Sequence, residues 1–206
     1  MYYLVMDKKQ QTVDTYNRSA AAMAKKFNSI GGRVENVEKV FSYATKENSF
    51  VLEIGCGNGR DAAEILKKTN HYLGIDISEE MVKLAKEQTP AGEFEVADIE
   101  TYKFPKDVDI IFSFASLLHS NKESVKRVFE EVYTAISPGG LFFVSLKNAP
   151  YQEKAQTDEF GTRTFYYYTI EDLKDLAGEK FKVLWQDEPI HGKQKWADVL
   201  FQKRDQ

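Results

Sequence analysis

The stretch VLEIGCGNGR, residues 51–60, ends an apolar run in the acid Glu53 and then sets Gly55, Gly57 and Gly59 on alternate positions. Glycines spaced this way let the backbone approach a ligand that a Cβ would hold off. The helix that follows offers its unpaired N-terminal amides. Together these features describe a loop that cradles a nucleotide-like ligand, and two chemistries use such loops, hydride transfer and methyl transfer. A dinucleotide fingerprint reads G-x-G-x-x-G or A. Gly55 and Gly57 fit it, but Arg60 stands in the third position and Gly59 is offered instead. Further along lie Asp76 in LGIDIS, Asp98 in VADIE and His119 in FASLLHS, and before the loop lies Tyr16 in DTYNR.

These residues need elements to hold them. Residues 14–27 read as a helix with Asp14 as its cap, and Gly31–Gly32 breaks it. Val34, Val37, Phe41 and Ala44 carry a second helix to about Thr45. From there strand and helix alternate. FVLEI (50–54) reads as a short, buried strand with few polar positions, as a parallel sheet requires, and YLGIDI (72–77), EFEVADI (93–99), DVDIIFSF (107–114) and LFFVSL (141–146) read as further strands. Helices are predicted over 59–69, over 79–88 behind Ser78, and after a capping box of Ser120 and Glu123. SPGG (137–140) has the residues of a type II turn. Thr169 caps a short helix ended by Gly178. KFKVLWQDE (180–188) and KWADVLFQK (195–203) are strands joined by six residues, too few for a parallel crossover, so they form an antiparallel hairpin.

Length and composition bound the rest. A chain of 206 residues forms one substantial core. A net charge of −4 gives no general attraction to nucleic acid or anionic membranes. A single cysteine excludes an internal disulfide and any cysteine metal cluster, and no metal is expected. MYYLVMDKKQ lacks the order of a signal peptide, and no run reaches membrane-spanning length. The expectation is a cytoplasmic protein without a nucleic-acid or membrane partner.

The spacing of these residues resembles a known family. VLEIGCGNGRDA is similar to the first motif of the class I S-adenosylmethionine-dependent methyltransferases. Asp76, followed by Ile77, resembles the acid that ends their second strand and holds both ribose hydroxyls, two vicinal donors suited to one carboxylate. Asp98 and Ile99 resemble the pair that meets the adenine amino group and a ring nitrogen. Phe114 and Ala115 match positions that pass under the cofactor. SPGGLFFVSL and the closing hairpin match as well, so the resemblance spans about residues 45–203. It implies a doubly wound, Rossmann-like, mostly parallel seven-stranded α/β sheet ending in an antiparallel hairpin. It also implies an N-terminal helical lid (1–45) over an S-adenosylmethionine-binding domain (46–206), and a methyl group moved to a small molecule.

Methyl transfer from a sulfonium is an in-line displacement, so alignment and exclusion of water carry much of the catalysis. His119 is the candidate base, able to titrate near neutral pH; the other reading has it capping or packing at the start of the next helix. Tyr16 faces the cofactor in similar proteins, or else covers the core edge as an amphipathic ring. Glu53 orients the cofactor's methionine end, as its family counterpart does, or bonds loop amides. Cys56 is a small loop residue without a histidine to activate it. In GTRTFYYYT (161–169) the aromatic residues border the substrate or alternate between core and surface, and Arg163 is expected to be solvated. The absence of a [DNS]PP[YFW] motif, of a Pro-Cys pair and of an acid cluster counts against nucleic-acid-type and magnesium-assisted methylation. Two other classes stay open: an NAD(P)-binding oxidoreductase, and an S-adenosylmethionine-binding protein without catalysis.

Overall fold

The computed structural model describes residues 7–204; the stretch MYYLVM, read above for signal-peptide order, lies outside the described residues. The strands are β1 (Val51–Ile54), β2 (Tyr72–Asp76), β3 (Glu93–Val96), β4 (Val108–Phe114), β5 (Ile136–Lys147), β6 (Gln152–Asp158), β7 (Gly161–Tyr167), β8 (Phe181–Asp187), β9 (Ile190–His191) and β10 (Gln194–Lys203). The central sheet runs β3-β2-β1-β4-β5-β10-β8. Its first five strands are parallel, and β10 and β8 close it antiparallel. This is the seven-stranded α/β sheet expected, with the short β9 added beside β10. Strand order reverses between β1 and β4, and in such sheets ligands bind at the carboxyl ends of the strands flanking that point.

Alternation along β1 explains why both faces are covered. Leu52 and Ile54 face a core with Val125, Val128, Phe129 and Val132 of α5 (Lys122–Ala135) and with α6 (Ile170–Ala177). Val51 faces the opposite core with Val37 and Val40 of α2 (Val34–Phe41), Ala62 and Ile65 of α3 (Ala62–Ile65), and Val82 and Ala85 of α4 (Glu79–Gln88). Helix α1 (Lys8–Ile30) lies on neither face; it packs on α4 and on the separate β6–β7 hairpin.

Several local expectations change. Helix α1 begins about two turns earlier than expected, because Asp7 accepts the Lys9 amide as its cap. Asp14 sits inside the helix and accepts the Gln10 side-chain amide. Asn121, not Ser120, caps α5 by accepting the Ser124 amide. The helix expected over 59–69 shrinks to a single turn, and the third strand stops at Val96. SPGG lies within β5 as an irregular start to the strand, with Gly139 at φ 69°. Thr169 caps its helix as expected and does so in a capping box with Asp172, and Gly178 ends that helix at φ 59°.

The core prediction is specific. Phe142 is fully buried, its ring edge-on to Phe129 at 5.2 Å between centroids. Phe142→Ala should destabilise the fold by about 3–5 kcal/mol in denaturant unfolding. Val183→Ala on the exposed side of β8 should stay within about 0.5 kcal/mol. Similar costs for the two would contradict this assignment of the core.

Candidate functional site

The loop after β1 and the loop after β4 abut. Gly55 has φ 73°, and a Cβ there would fall 2.1 Å from Ser116 Oγ, so only glycine fits against the second loop. Gly57, at φ 54°, faces open space. Gly59 lies behind the loop against Ala85 of α4 and Thr89 just past its end, off the cavity wall. On the other side the chain leaves β4 through Ala115, a non-glycine residue at φ 52°. This sharp exit turns the short 3-10 turn Leu117–His119 over the strand ends.

Asp76 ends β2 beneath this loop. Its carboxylate accepts the Gly57 amide and the Ser78 amide, each at 2.9 Å. Burial pushes its pKa up, and the amides of Ser78, Gly57 and Ile77 oppose that shift. One half-buried acid therefore ties the glycine loop to the start of α4, and each of its oxygens keeps lone-pair capacity. Asp98 follows β3, and its two oxygens hold Lys9 Nζ of α1 at 2.8 and 2.6 Å; Glu100 accepts from the same ammonium at 2.8 Å. Asp76, Ile77, Asp98, Ile99, Phe114, Tyr16 and His119 all line one cavity of about 840 Å³.

Across that cavity Tyr16 and His119 are bonded, with Tyr16 Oη and His119 Nε2 2.9 Å apart. His119 Nδ1 lies 2.6 Å from the Thr164 carbonyl oxygen. A carbonyl only accepts, so Nδ1 carries the hydrogen, Nε2 is the basic nitrogen of the neutral ring, and Tyr16 donates to it. Burial pushes the imidazole down to about 4, with the Thr164 carbonyl opposing and the Arg163 and Lys147 cations adding to the shift. Burial raises the Tyr16 phenol. The chain Tyr16–His119–Thr164 thus links α1, the β4 loop and β7.

Glu53 lies elsewhere. It is 1% exposed, accepts the Tyr72 hydroxyl at 2.5 Å, and forms no part of the cavity wall. Burial and the neighbouring Asp61 carboxylate push it up. Cys56 is buried in the loop with its thiol raised by burial, which leaves it inert.

Three wall residues went unread or misread in the sequence. Arg33, just before α2, pairs with Asp61 at 2.6 Å, and Arg60 shares the same carboxylate at 2.7 Å, leaving that corner one positive charge in excess. Lys147 ends β5, a carboxyl strand end where ligands bind, and that position was its signal. Arg163, expected in solvent, has a side chain only 11% exposed and points into the cavity wall beside Asp158. The strand that carries it packs under α1, so an alternating position became an interior one.

The residues fit an adenosyl ligand carrying an amino acid. Gly57 leaves room against a backbone cradle, Asp76 offers acceptors at the loop, Phe114 offers a ring, and Arg33 offers a cation for a carboxylate. A cavity of this size suits a ligand of that class. No described helix is long and apolar enough to cross a membrane.

A family model described as a methyltransferase domain matches residues 51–140. Malonyl-[acyl-carrier protein] O-methyltransferase 2 of Ilyobacter polytropus is 29% identical over 84% of this chain and 67% of its own length. Phosphoethanolamine N-methyltransferase of Plasmodium falciparum is 32% identical over 70% of this chain and 58% of its own. The chain spans between 47% and 67% of the length of the first four curated relatives it matches. Among solved structures, the magnesium protoporphyrin IX methyltransferase of Synechocystis, with bound SAM, aligns at a TM-score of 0.75 and 15% identity over 98% of this chain and 100% of its own. At that identity the likeness is one of fold.

The His119 environment predicts a titration. The imidazole should stay neutral until about pH 4, read from its carbon-bound protons by NMR. The unfolded ring protonates near 6.5, so its contribution to stability is complete above that value and is lost as the pH falls toward 4. A titration midpoint near 6.5 in the folded protein would show that the ring is open to water.

Proposed function

We propose that this chain, whose residues 51–140 match a methyltransferase domain, belongs to the class I S-adenosylmethionine-dependent family and moves a methyl group to a small-molecule acceptor. The observation that carries this reading is the bonded Tyr16–His119 pair facing, across one cavity, the glycine loop and Asp76. S-adenosylmethionine, when bound, supplies an electrophilic methyl group on a sulfonium.

The chain's own residues do the rest. Asp76 takes the ribose hydroxyls while keeping its two loop amides. Ile77, Ile99 and Phe114 wall the adenine and sulfur regions, and Asp98 meets the adenine amino group in place of, or together with, Lys9. Arg33 holds the amino-acid carboxylate. Glu53 acts from behind, keeping β1 and β2 in register through Tyr72. Helix α1, within residues 1–45, acts as the lid over the remaining domain, while α2 stays packed in the core through Val37 and Val40; closure of α1 excludes water from the displacement.

The proton path follows from the tautomer. The Tyr16 oxygen accepts the proton of the acceptor's nucleophile while its own proton passes to His119 Nε2. His119 ends as an imidazolium that donates to Thr164. Positive charge is lost at sulfur as it is gained at the imidazole, so the enclosed cavity never holds an additional charge.

The test follows release of S-adenosylhomocysteine over a panel of small amines and alcohols. With a substrate found, His119→Ala should lower kcat about 10²–10⁴-fold, and Tyr16→Phe should lower it comparably with KM little changed. Wild-type turnover in His119→Ala would remove the base from the account. Asp76→Asn should weaken S-adenosylhomocysteine binding at least about tenfold, a loss of roughly 1.4 kcal/mol. Removal of residues 1–28 should also weaken it. Unchanged affinity in the truncated protein would end the lid assignment.

A further inference from the structure

The cavity has a cationic end that the reading above does not use. Lys147 Nζ lies 3.6 Å from the centroid of the Phe165 ring, and the Arg163 guanidinium lies 5.3 Å from the same centroid. The two cations are therefore no more than about 9 Å apart. The His119 ring stands 4.8 Å from that centroid, and Arg163 lies 5.5 Å from the Tyr16 ring. One phenylalanine thus forms a floor shared by two cations and the Tyr16–His119 pair.

The charges there do not balance. Arg163 is paired with Asp158 of β6, yet its buried Nε has no hydrogen-bond partner among the described residues. Among the described residues Lys147 reaches only a neutral oxygen, Gln156 Oε1 at 3.3 Å, and that amide is fixed by its own bond to the Tyr167 hydroxyl at 2.6 Å. Lys154 of β6 adds a third positive charge to the surroundings of Lys147. A cation taken this far out of water needs a counter-charge, and among these neighbours the only carboxylate is already committed to Arg163.

Resting on the methyltransferase reading, we propose that the methyl acceptor carries an anionic group, phosphate or carboxylate, seated between Lys147 and Arg163 over Phe165. Such an anchor would set the acceptor's nucleophile against Tyr16, only one ring away. It would also prime the base. Burial holds Lys147 down to about 8, with Arg163 and Lys154 adding to the shift and Asp158 opposing it. The same Arg163 and Lys147 charges depress His119, after burial. An anion between them screens both, so the substrate itself raises the basicity of the imidazole that receives its proton.

The experiment uses the full chain saturated with S-adenosylhomocysteine, titrated with inorganic phosphate and separately with acetate at constant ionic strength. Calorimetry reads affinity, and NMR reads the His119 midpoint. We expect one of the anions to bind, with affinity falling as the pH rises past about 8, and the His119 midpoint to move up from about 4. Tighter binding of phosphate assigns a phosphorylated acceptor, and tighter binding of acetate assigns a carboxylic one. Lys147→Gln and Arg163→Gln should each weaken anion binding at least tenfold while S-adenosylhomocysteine affinity holds; Lys147→Arg and Arg163→Lys, which keep the charges, should retain most of it. No anion binding at millimolar concentrations, or binding unaffected by the charge-removing variants, would overturn the proposal. Failure of S-adenosylhomocysteine itself to bind would instead strike the methyltransferase reading, a result read before any anion is added.

Discussion

The site depends on how α1 treats the open edge of a two-stranded sheet. Among the described residues β7 pairs with β6 along one edge only. Along the other, Thr12 Oγ1 accepts the Thr164 amide at 3.1 Å, Thr15 Oγ1 donates to the Thr162 carbonyl at 2.8 Å, and Ser19 Oγ donates to the Phe160 carbonyl at 2.8 Å. His119 Nδ1 takes the Thr164 carbonyl. Backbone groups left unpaired away from water cost about as much as a lost hydrogen bond, so hydroxyls spaced along one helix face hold the hairpin where a further strand would otherwise stand. Tyr16 lies on the same helix, and its position over the strand ends follows from that docking.

Everything below the cap is set by the parallel sheet. Covering both of its faces leaves only the strand ends open, and the reversal between β1 and β4 parts the loops that follow them. Gly55 lets those loops touch, Asp76 ties the first of them to α4, and Ala115 turns the second toward the cavity. Rigid strands supply precision, and the proposed lid movement belongs to α1. The Lys9 bridge to Asp98 and Glu100 pins the N-terminal end of α1.

The sheet could be read from the sequence because burial on both faces demands unbroken apolar runs such as FVLEI and LFFVSL. Asp76 could be read because it follows such a run directly, and Asp98 and His119 because each lies in the loop that follows a strand. The β6–β7 hairpin could not. β6 is QEKAQTD, exposed along nearly all its length, and no alternation betrays a strand whose partner and helix lie far off in sequence. The start of α1 was hidden in the same way, since Lys8, Lys9, Gln10 and Gln11 carry no apolar period. Whether Arg163 is solvated or enclosed depends on a helix about 150 residues earlier, a tertiary fact that local pattern does not contain. Glu53 shows the opposite limit: its place in the motif could be read, but Tyr72 takes its carboxylate away from the cavity.

The central claim is that the loop, Asp76 and Asp98 form an adenosyl site for a sulfonium cofactor and not for a dinucleotide. Calorimetric titration of the full chain with S-adenosylmethionine and S-adenosylhomocysteine, with NAD(H) as the comparison, tests it most directly. The account predicts binding of the first two near micromolar, about −8 kcal/mol, and none of NAD(H). Binding of NAD(H) alone would contradict it and return the site to hydride chemistry.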